Sequence, residues 1–199
     1  MFTLIGDLVG SRDLPDRAGA QDLLAEALAA VNETLTPVQP LEPTVGDEVQ
    51  GGFATLADAT LAALLLRLGC LPVVDVRCGL GEGEVRVHDA TRRPLLQDGP
   101  GWWTAREALE VMAAPRKAAL RTWFVGGDGA DVGRVNAFLL CRDQLVDRLN
   151  DRGRRMLRAA LLGATQREIA RAEGISESGV SQQFARGVAA VRDAQLLFR

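Results

Sequence analysis

Apolar residues along the first part of the chain recur at two spacings, which predict alternating helices and strands. The helical period is clearest in residues 17–35, where one side carries Leu23, Leu24, Ala27, Leu28 and Val31. Residues 37–43 are marked by prolines and are predicted to form a loop. The predicted elements are, in order, a strand at 2–8, a helix at 17–35, short strands at 44–45 and 49–54 joined tightly at 46–48, a helix at 56–68, a strand at 73–80 that 84–87 extends or pairs with, a helix at 102–112 and a strand at 120–125.

This order predicts an α+β fold. The succession β-α-β-β-α-β is that of a ferredoxin-like sheet with helices on one face. The glycine-rich segment 126–133 is predicted to be a linker, and everything after it is predicted to be helical. We therefore expect an α+β domain with its linker at 1–133 and an all-α domain at 134–199.

Composition and charge add the expectation of a polyanionic partner for the second domain. The chain has a hydrophobic fraction of 47% and a net charge of −3, as expected for a globular protein of the cytoplasm, with no signal peptide or membrane-spanning stretch in the sequence. Residues 142–199 carry eleven arginines and seven acidic residues, so that they are basic and the remainder is acidic. The basic segment favours contact with a polyanion, and the alternative is a solvated helical face.

Two aspartates near the start of the chain suggest a metal site. Asp7 ends an apolar strand and Asp47 lies at the tip of the predicted hairpin, beside Glu48. In the predicted sheet the first strand and the hairpin are neighbours, so that Asp7 and Asp47 can hold Mg²⁺ or Mn²⁺, with Glu48 as a third ligand. The alternative is that both aspartates are turn residues that accept backbone hydrogen bonds.

The turn that follows the first strand is a candidate phosphate-binding segment. Gly10 allows the backbone to approach a ligand closely, and the turn can direct its N–H groups at phosphate oxygens, with Ser11 and Arg12 beside it. A metal next to a phosphate-binding turn is typical of sites for nucleoside triphosphates. Trp102, Trp103 and Trp123 are expected in the core or in an interface.

Residues 7–10, 44–47 and 76–85 resemble, in their order, the motifs of class III nucleotide cyclases, and the hairpin at 46–48 resembles the signature turn of diguanylate cyclases. The resemblance implies that Arg106 steadies the transferring phosphate, as a catalytic residue if the protein is an enzyme. Residues 99–109 are similar to the cyclase helix that carries this arginine and an asparagine, and the asparagine position falls on Trp102, which lacks the paired donor and acceptor of an amide. Such cyclases build one site from two subunits, which implies a homodimer in which Arg106 serves the partner's Asp7 and Asp47.

A second resemblance is to the SatD family, and it covers most of the chain. It is carried by residues 6–12, by residues 46–51 with Val49 in place of a phenylalanine, and by residues 98–100 and 105–108. The resemblance implies a cyclase-like domain followed by a helical C-terminal part, without settling the activity.

The C-terminal part carries the pattern of a helix-turn-helix over about 154–190. Thr165 and Glu168 form a capping box that starts one helix, Gly174 ends it, and Ser176 caps the next. Val180 and Phe184 give this second helix a buried stripe. The pattern is similar to that of sigma factors and response-regulator domains.

The opposite side of the second helix is predicted to meet DNA. The side chains suited to reading base edges are Ser178, Ser181, Gln182 and Arg186, and those placed to meet phosphates are Gln166, Arg167, Arg154, Arg155 and Arg158. The alternative is a helical hairpin used for dimerisation or protein docking.

The sequence therefore favours a DNA-binding transcription regulator, homodimeric and not membrane-bound, whose first domain binds a nucleotide or its metal complex. One alternative is an enzyme acting on a nucleoside triphosphate, as a cyclase or a related phosphoryl-transfer catalyst. The other is a degenerate cyclase fold used only for dimerisation.

Overall fold

The computed structural model describes residues 1–44, 46–114, 117, 119–127 and 129–198. The chain divides into two compact units, Met1–Leu140 and Cys141–Arg199. Within the described residues no helix combines the length and the apolar character needed to cross a bilayer. The elements are β1 (Phe2–Leu8), α1 (Arg17–Leu35), β2 (Gln39–Pro43), β3 (Glu48–Phe53), α2 (Leu56–Cys70), β4 (Val76–Glu82), β5 (Arg86–Asp89), β6 (Leu96–Asp98), α3 (Pro100–Ala113), β7 (Thr122–Val125), α4 (Gly129–Arg148), α5 (Asp151–Leu161), α6 (Gln166–Glu173), α7 (Glu177–Gln183) and α8 (Ala189–Leu197).

The first unit is mixed α+β, and its main feature is a five-stranded sheet in the order β2-β3-β1-β4-β7. Strand β1 lies between β3 and β4 and is antiparallel to both, whereas β7 is parallel to β4. The predicted strand at 2–8 and helix at 17–35 are confirmed with the same bounds. Each has a long apolar pattern whose period fits only one type of secondary structure.

The predicted loop at 37–43 is wrong, because Gln39–Pro43 forms strand β2. This strand lies at the edge of the sheet, where prolines are tolerated because only one side is paired with a neighbouring strand. The side chain of Asn32 also holds it: Asn32 Nδ2 donates to Leu41 O at 2.9 Å and Leu41 N donates to Asn32 Oδ1 at 2.8 Å. The predicted strand at 44–45 includes Val45, which lies outside the described residues.

Two further sequence predictions differ from the structure. Residues 84–87 do not extend β4: Arg86–Asp89 pairs with Leu96–Asp98 in a separate two-stranded sheet. Helix α4 begins at Gly129, inside the segment predicted as a linker at 126–133. Its Asn136 forks onto the edge strand β7, accepting from Phe124 N at 2.8 Å and donating to Phe124 O at 2.9 Å.

Helices cover both faces of the sheet, so that the predicted placement of the helices on one face is wrong. Helices α1 and α2 contact each other, and a side chain added at Gly6 of β1 would meet Leu66 of α2. Helix α3 lies on the opposite face, directly over β4, where Gly79 and Gly81 leave no side chain between strand and helix. Close approach of two backbones is the use of glycine in a strand interior.

A partly buried ion cluster links α2, β4 and the residue before β7. Asp75 accepts from Arg67 Nε at 2.7 Å and from Arg121 Nε at 2.6 Å. Burial alone would raise the pKa of Asp75, but the hydrogen bonds and charges of the two arginines together lower it. The cluster fixes the start of β4.

The second unit is helical. Its core includes Met156 and Leu157 of α5, Ile169 of α6 and Val180 of α7, all buried. Helix α7 continues through a π-helical segment, Phe184–Val188, in which Gly187 has a φ of 129° and bends the chain into α8.

Candidate functional site

The first candidate site is a cleft at the end of the sheet, on the face covered by α3. Asp7 of β1 lies directly opposite Glu48 of β3 and, on its other side, directly opposite Arg77 of β4. Residues that face each other across strands project to the same side of a sheet. The register therefore brings two carboxylates and one guanidinium together, and α3 adds Arg106 and Glu110 to the walls of a cleft of about 240 Å³.

Both carboxylates are paired with arginines. Arg77 Nη2 donates to Asp7 Oδ2 at 2.7 Å. Arg106 binds Glu48 with two parallel bonds, Nη1 to Oε2 at 2.6 Å and Nη2 to Oε1 at 2.8 Å, the geometry in which a guanidinium recognises a carboxylate best. The hydrogen bond to Glu48 raises the pKa of the Arg106 guanidinium, and the charges of Glu48, Glu110 and Asp7 act in the same direction. The Arg106 side chain is 45% exposed, so that a ligand can compete for its pair with Glu48, whereas the Arg77–Asp7 pair is partly buried.

Four residues of the predicted metal and phosphate sites are not in the walls of this cleft, and they are Gly10, Ser11, Arg12 and Asp47. Asp47 occupies the turn before β3, and Glu48 is the hairpin residue opposite Asp7. Gly10 has the left-handed φ of 69° and precedes a short 3₁₀ turn at Ser11–Asp13, in which Arg12 is exposed. Across the residues that the structure describes, no three His, Cys, Asp or Glu side chains are grouped so as to hold a metal ion. The three-ligand site therefore stays a prediction.

Trp102, at the position of the cyclase asparagine, is a core residue. It is 7% exposed and packs with Ile5, Ala105, Leu109 and Met112 between α3 and the sheet. Its Nε1 is buried and has no hydrogen-bond partner among the described residues. This position therefore supplies packing between α3 and the sheet, and its side chain does not line the cleft.

Sequence reasoning missed two charged residues of the cleft, Arg77 and Glu110. Val76 and Cys78 are buried on the α2 side, so that strand alternation places Arg77 on the other face, together with Gly79. Its Nε is buried without a partner in the described part of the chain, so that Arg77 keeps a donor beyond its bond to Asp7. The sequence did contain a signal for this residue: Arg77 lies between two apolar residues, Val76 and Cys78, of a predicted strand.

The second candidate site is the exposed side of α7. The capping box is present, with Glu168 N donating to Thr165 Oγ1 at 3.3 Å and Thr165 N donating to Glu168 Oε2 at 2.8 Å. Gly174 ends α6 with a φ of 65°, and Ser176 caps α7 by accepting from Gly179 N at 3.2 Å. The local turn chemistry predicted from the sequence is confirmed.

Burial divides α7 and its extension into two sides. Val180, Phe184 and Val188 are buried. The residues predicted to read base edges are all exposed, and they are Ser178, Ser181, Gln182 and Arg186. Ser181 Oγ donates to Gln166 Oε1 at 3.1 Å, so that the first residue of α6 is tied to the exposed side of α7.

The predicted phosphate-contacting arginines differ in how they are held. Arg155 binds Glu173 with two bonds of 2.8 and 2.7 Å, which lower the pKa of Glu173. Arg154 donates to the carbonyl groups at the end of α4, Val146 O at 3.3 Å and Asp147 O at 3.1 Å. The Arg158 side chain is half-buried, and the Arg167 side chain is exposed. Of these arginines, Arg154 is held by the end of α4 and by Asp151, Arg155 is held by Glu173, and the exposed Arg167 is accessible to a ligand.

Comparison with known proteins gives one match. The family model described as the SatD family matches residues 1–184. No curated protein and no solved structure matches the chain. The matched region includes the whole of the first candidate site and the second candidate site up to Phe184.

Proposed function

This chain belongs to the SatD family, and we propose that it is a DNA-binding regulatory protein whose first unit binds a nucleotide as its Mg²⁺ or Mn²⁺ complex. The observation that carries the DNA-binding part is the exposed polar side of α7, opposite a buried apolar stripe. Gln182 and Arg186 are exposed there, and glutamine and arginine pair with adenine and guanine edges in a major groove. We interpret α6, the turn at Gly174 and α7 as a helix-turn-helix with α7 as the recognition helix.

The nucleotide-binding part rests on topology and charge. The order β2-β3-β1-β4 is that of a ferredoxin-like sheet, on which the proposed cyclase-like domain is built. Asp7, near the end of β1, lies opposite Glu48, the first residue of β3, at one end of this sheet. Mg²⁺ is commonly held by one or two carboxylates, with phosphate oxygens and waters completing its shell, and the adjacent pair fits this requirement.

The arginines of the cleft give the triphosphate its partners. Arg106 and Arg77 neutralise Glu48 and Asp7 in the ligand-free chain. A bound cation would take over the charge of the carboxylates and so free both guanidinium groups for phosphate oxygens, which they bind with the same forked geometry. Arg12 and the turn at Gly10–Ser11 extend the proposed phosphate contacts beyond the cleft.

Nucleotide binding can be tested by calorimetric titration with a panel of nucleoside triphosphates, with and without Mg²⁺ or Mn²⁺. We expect Asp7→Asn and Glu48→Gln to weaken metal-dependent binding about ten-fold or more, because each removes a charged ligand of the cation. Asp47→Asn measures whether the hairpin turn supplies a third ligand. Absence of binding by any nucleotide would refute this part of the proposal.

DNA binding can be tested on genomic fragments across a salt series. Gln182→Ala and Arg186→Ala should each reduce the preference for the best fragment about ten-fold, since one base contact discriminates by about 1–3 kcal/mol. Arg158→Ala should weaken binding to all sequences alike and reduce the salt slope by about one. If no fragment binds better than random DNA, α6 and α7 form a docking element and the proposal fails.

Glu173 provides a further control within the same unit. Because Glu173 holds Arg155 with two hydrogen bonds, Arg155→Ala should change the salt slope less than Arg158→Ala. Conversely, Glu173→Gln should release Arg155 and strengthen non-specific binding. Equal effects of the two arginine substitutions would show that Glu173 does not compete with phosphate.

A second candidate function is favoured by Arg106, which lies in the cleft where a transferring phosphate would lie. It is an enzyme acting on a nucleoside triphosphate, as a cyclase or a related phosphoryl-transfer catalyst. Trp102 weakens this candidate because it takes the place of an asparagine. Chromatography of the nucleotide after incubation with protein and Mn²⁺ separates the two candidates: an unchanged nucleotide favours a sensor, and a cyclic or shortened product that Arg106→Ala abolishes favours the enzyme.

The homodimer stays part of the proposal. Within the single chain Arg106 binds Glu48 of the same chain. A twofold dimer would present a pair of DNA-reading helices to a palindromic site. Light scattering with and without nucleotide tests it. Monomer throughout a concentration series would leave each chain with one recognition helix and predict a non-palindromic target.

A further inference from the structure

A second pocket lies at the start of α3, beside the β5–β6 hairpin. Its volume is about 420 Å³, within the range of pockets that hold small molecules. Its wall combines the exposed residues Glu84, Arg86 and His88 with Asp98, Pro100 and Trp103.

Trp103 is held open in this pocket. Trp103 is 60% exposed, although an exposed tryptophan leaves a large apolar area in contact with water. Trp103 Nε1 donates to Asp98 Oδ1 at 2.7 Å, and the same oxygen accepts from Gly99 N at 2.8 Å. The indole is therefore fixed by a hydrogen bond at its edge, which leaves its ring available for stacking.

The rest of the wall offers both hydrogen-bonding polarities. Arg86 and His88 can donate to acceptors, and Glu84 can accept from N–H groups. A nucleobase has a π face together with donors and acceptors on its edge, so that it matches an aromatic platform with polar groups of both kinds.

The pocket and the charged cleft share one side of α3. Trp103, Arg106 and Glu110 follow one another at intervals of three and four residues and are all exposed. With a rise of about 1.5 Å per residue, Trp103 lies roughly 4.5 Å along the helix axis from Arg106 and roughly 10.5 Å from Glu110. A nucleotide carries its base and its phosphates at opposite ends of the sugar and can follow such a line.

We infer that the pocket at Trp103 binds the base of the nucleotide, by stacking on the indole, while the phosphates lie toward Arg106. This inference rests on the proposed nucleotide binding and adds the place and the chemistry of base recognition. The base stacks on one face of Trp103, and Glu84, Arg86 and His88 select among bases at its edge.

The test compares three probes: nucleoside triphosphates with Mg²⁺, the corresponding nucleosides, and inorganic tripolyphosphate with Mg²⁺. Trp103→Ala should weaken binding of the triphosphates and the nucleosides roughly five-fold to a hundred-fold, as expected for loss of one stacked base, and should leave tripolyphosphate binding unchanged. Trp103→Phe should retain part of the affinity, since it keeps an aromatic face. Glu107→Ala, an exposed position of the same helix outside both pockets, is the matched control and should change none of the three.

The outcomes separate this inference from the proposed function. If triphosphates bind and Trp103→Ala binds them as well as the unaltered chain, the base lies elsewhere and the inference is wrong, while nucleotide binding stands. If neither triphosphates nor tripolyphosphate bind, both are wrong. If Trp103→Ala weakens tripolyphosphate as much as nucleotide, the substitution has altered the cleft itself, and base stacking at Trp103 is again refuted.

Discussion

Gly81 provides a test of how α3 is mounted, because the helix lies on the strand without intervening side chains. A methyl group added at Gly81 would lie 2.5 Å from Thr104 Oγ1 and in similarly close contact with the backbone of Gly101 and Ala105. Real side-chain carbons do not approach other atoms closer than 3.0 Å. Backbone atoms of a helix cannot rotate away, so that Gly81→Ala must push α3 off the sheet.

The expected cost is at the upper end of that for an overpacked core, about 3 kcal/mol. For a chain of this size such a loss lowers the Tm of the first unit by roughly 6–12 °C. Because α3 carries both Trp103 and Arg106, nucleotide affinity should also fall, although Gly81 lines neither pocket.

The matched control is Gly133→Ala. Gly133 lies in α4, and a methyl group there would meet nothing within 4 Å. This substitution should stabilise the chain by up to about 1 kcal/mol, because alanine is the better helix former. Thermal and urea unfolding of the two variants, followed by circular dichroism, measure both changes. If Gly81→Ala unfolds at the temperature of the unaltered chain, α3 does not lie on β4 as described.

Three further predictions concern stability. Asp75→Asn should cost about 3 kcal/mol because it leaves the buried Arg67 without its carboxylate. Folding lowers the pKa of Asp75, so that the stability it contributes is present above about pH 4 and is lost as the pH falls below that value. Urea unfolding should therefore be less sensitive to acid in the variant than in the unaltered chain. Asn136→Ala should cost about 2 kcal/mol by leaving both backbone groups of Phe124 without partners, and hydrogen exchange at Phe124 should accelerate. Thr165→Ala should remove about 1 kcal/mol from the second unit by uncapping α6, and unchanged unfolding would contradict the role of the capping box.

Local patterns predicted the elements with one clear period. Strand β1 and helix α1 have the predicted bounds, and Thr165, Gly174 and Ser176 occupy the turn and cap positions expected of them. These features are determined by neighbours within a few residues, so that they can be predicted from the local sequence alone.

Features that depend on distant partners could not be predicted in the same way. Strand β2 contains two prolines and is held in place by Asn32, and the β5–β6 pairing joins residues whose propensities are weak. The glycines of β4 carry no side chain from which the position of α3 could be inferred. Trp103 was expected in a core or an interface; it is not in the core of the chain, and its indole donates to Asp98.

Carboxylates pair with arginines in both units. The units differ in whether a cation can displace the arginine from its carboxylate. In the first unit a divalent cation can occupy the carboxylate pair Asp7 and Glu48, so that releasing Arg106 to a phosphate costs little once the cation is bound. In the second unit Glu173 is paired with two arginines, Arg155 at 2.7 Å and Arg152 at 3.6 Å, and does not lie opposite a second carboxylate as Glu48 lies opposite Asp7. Nucleotide binding should therefore depend steeply on Mg²⁺ or Mn²⁺, whereas DNA binding should depend on total ionic strength, with Mg²⁺ acting only as a competing counterion.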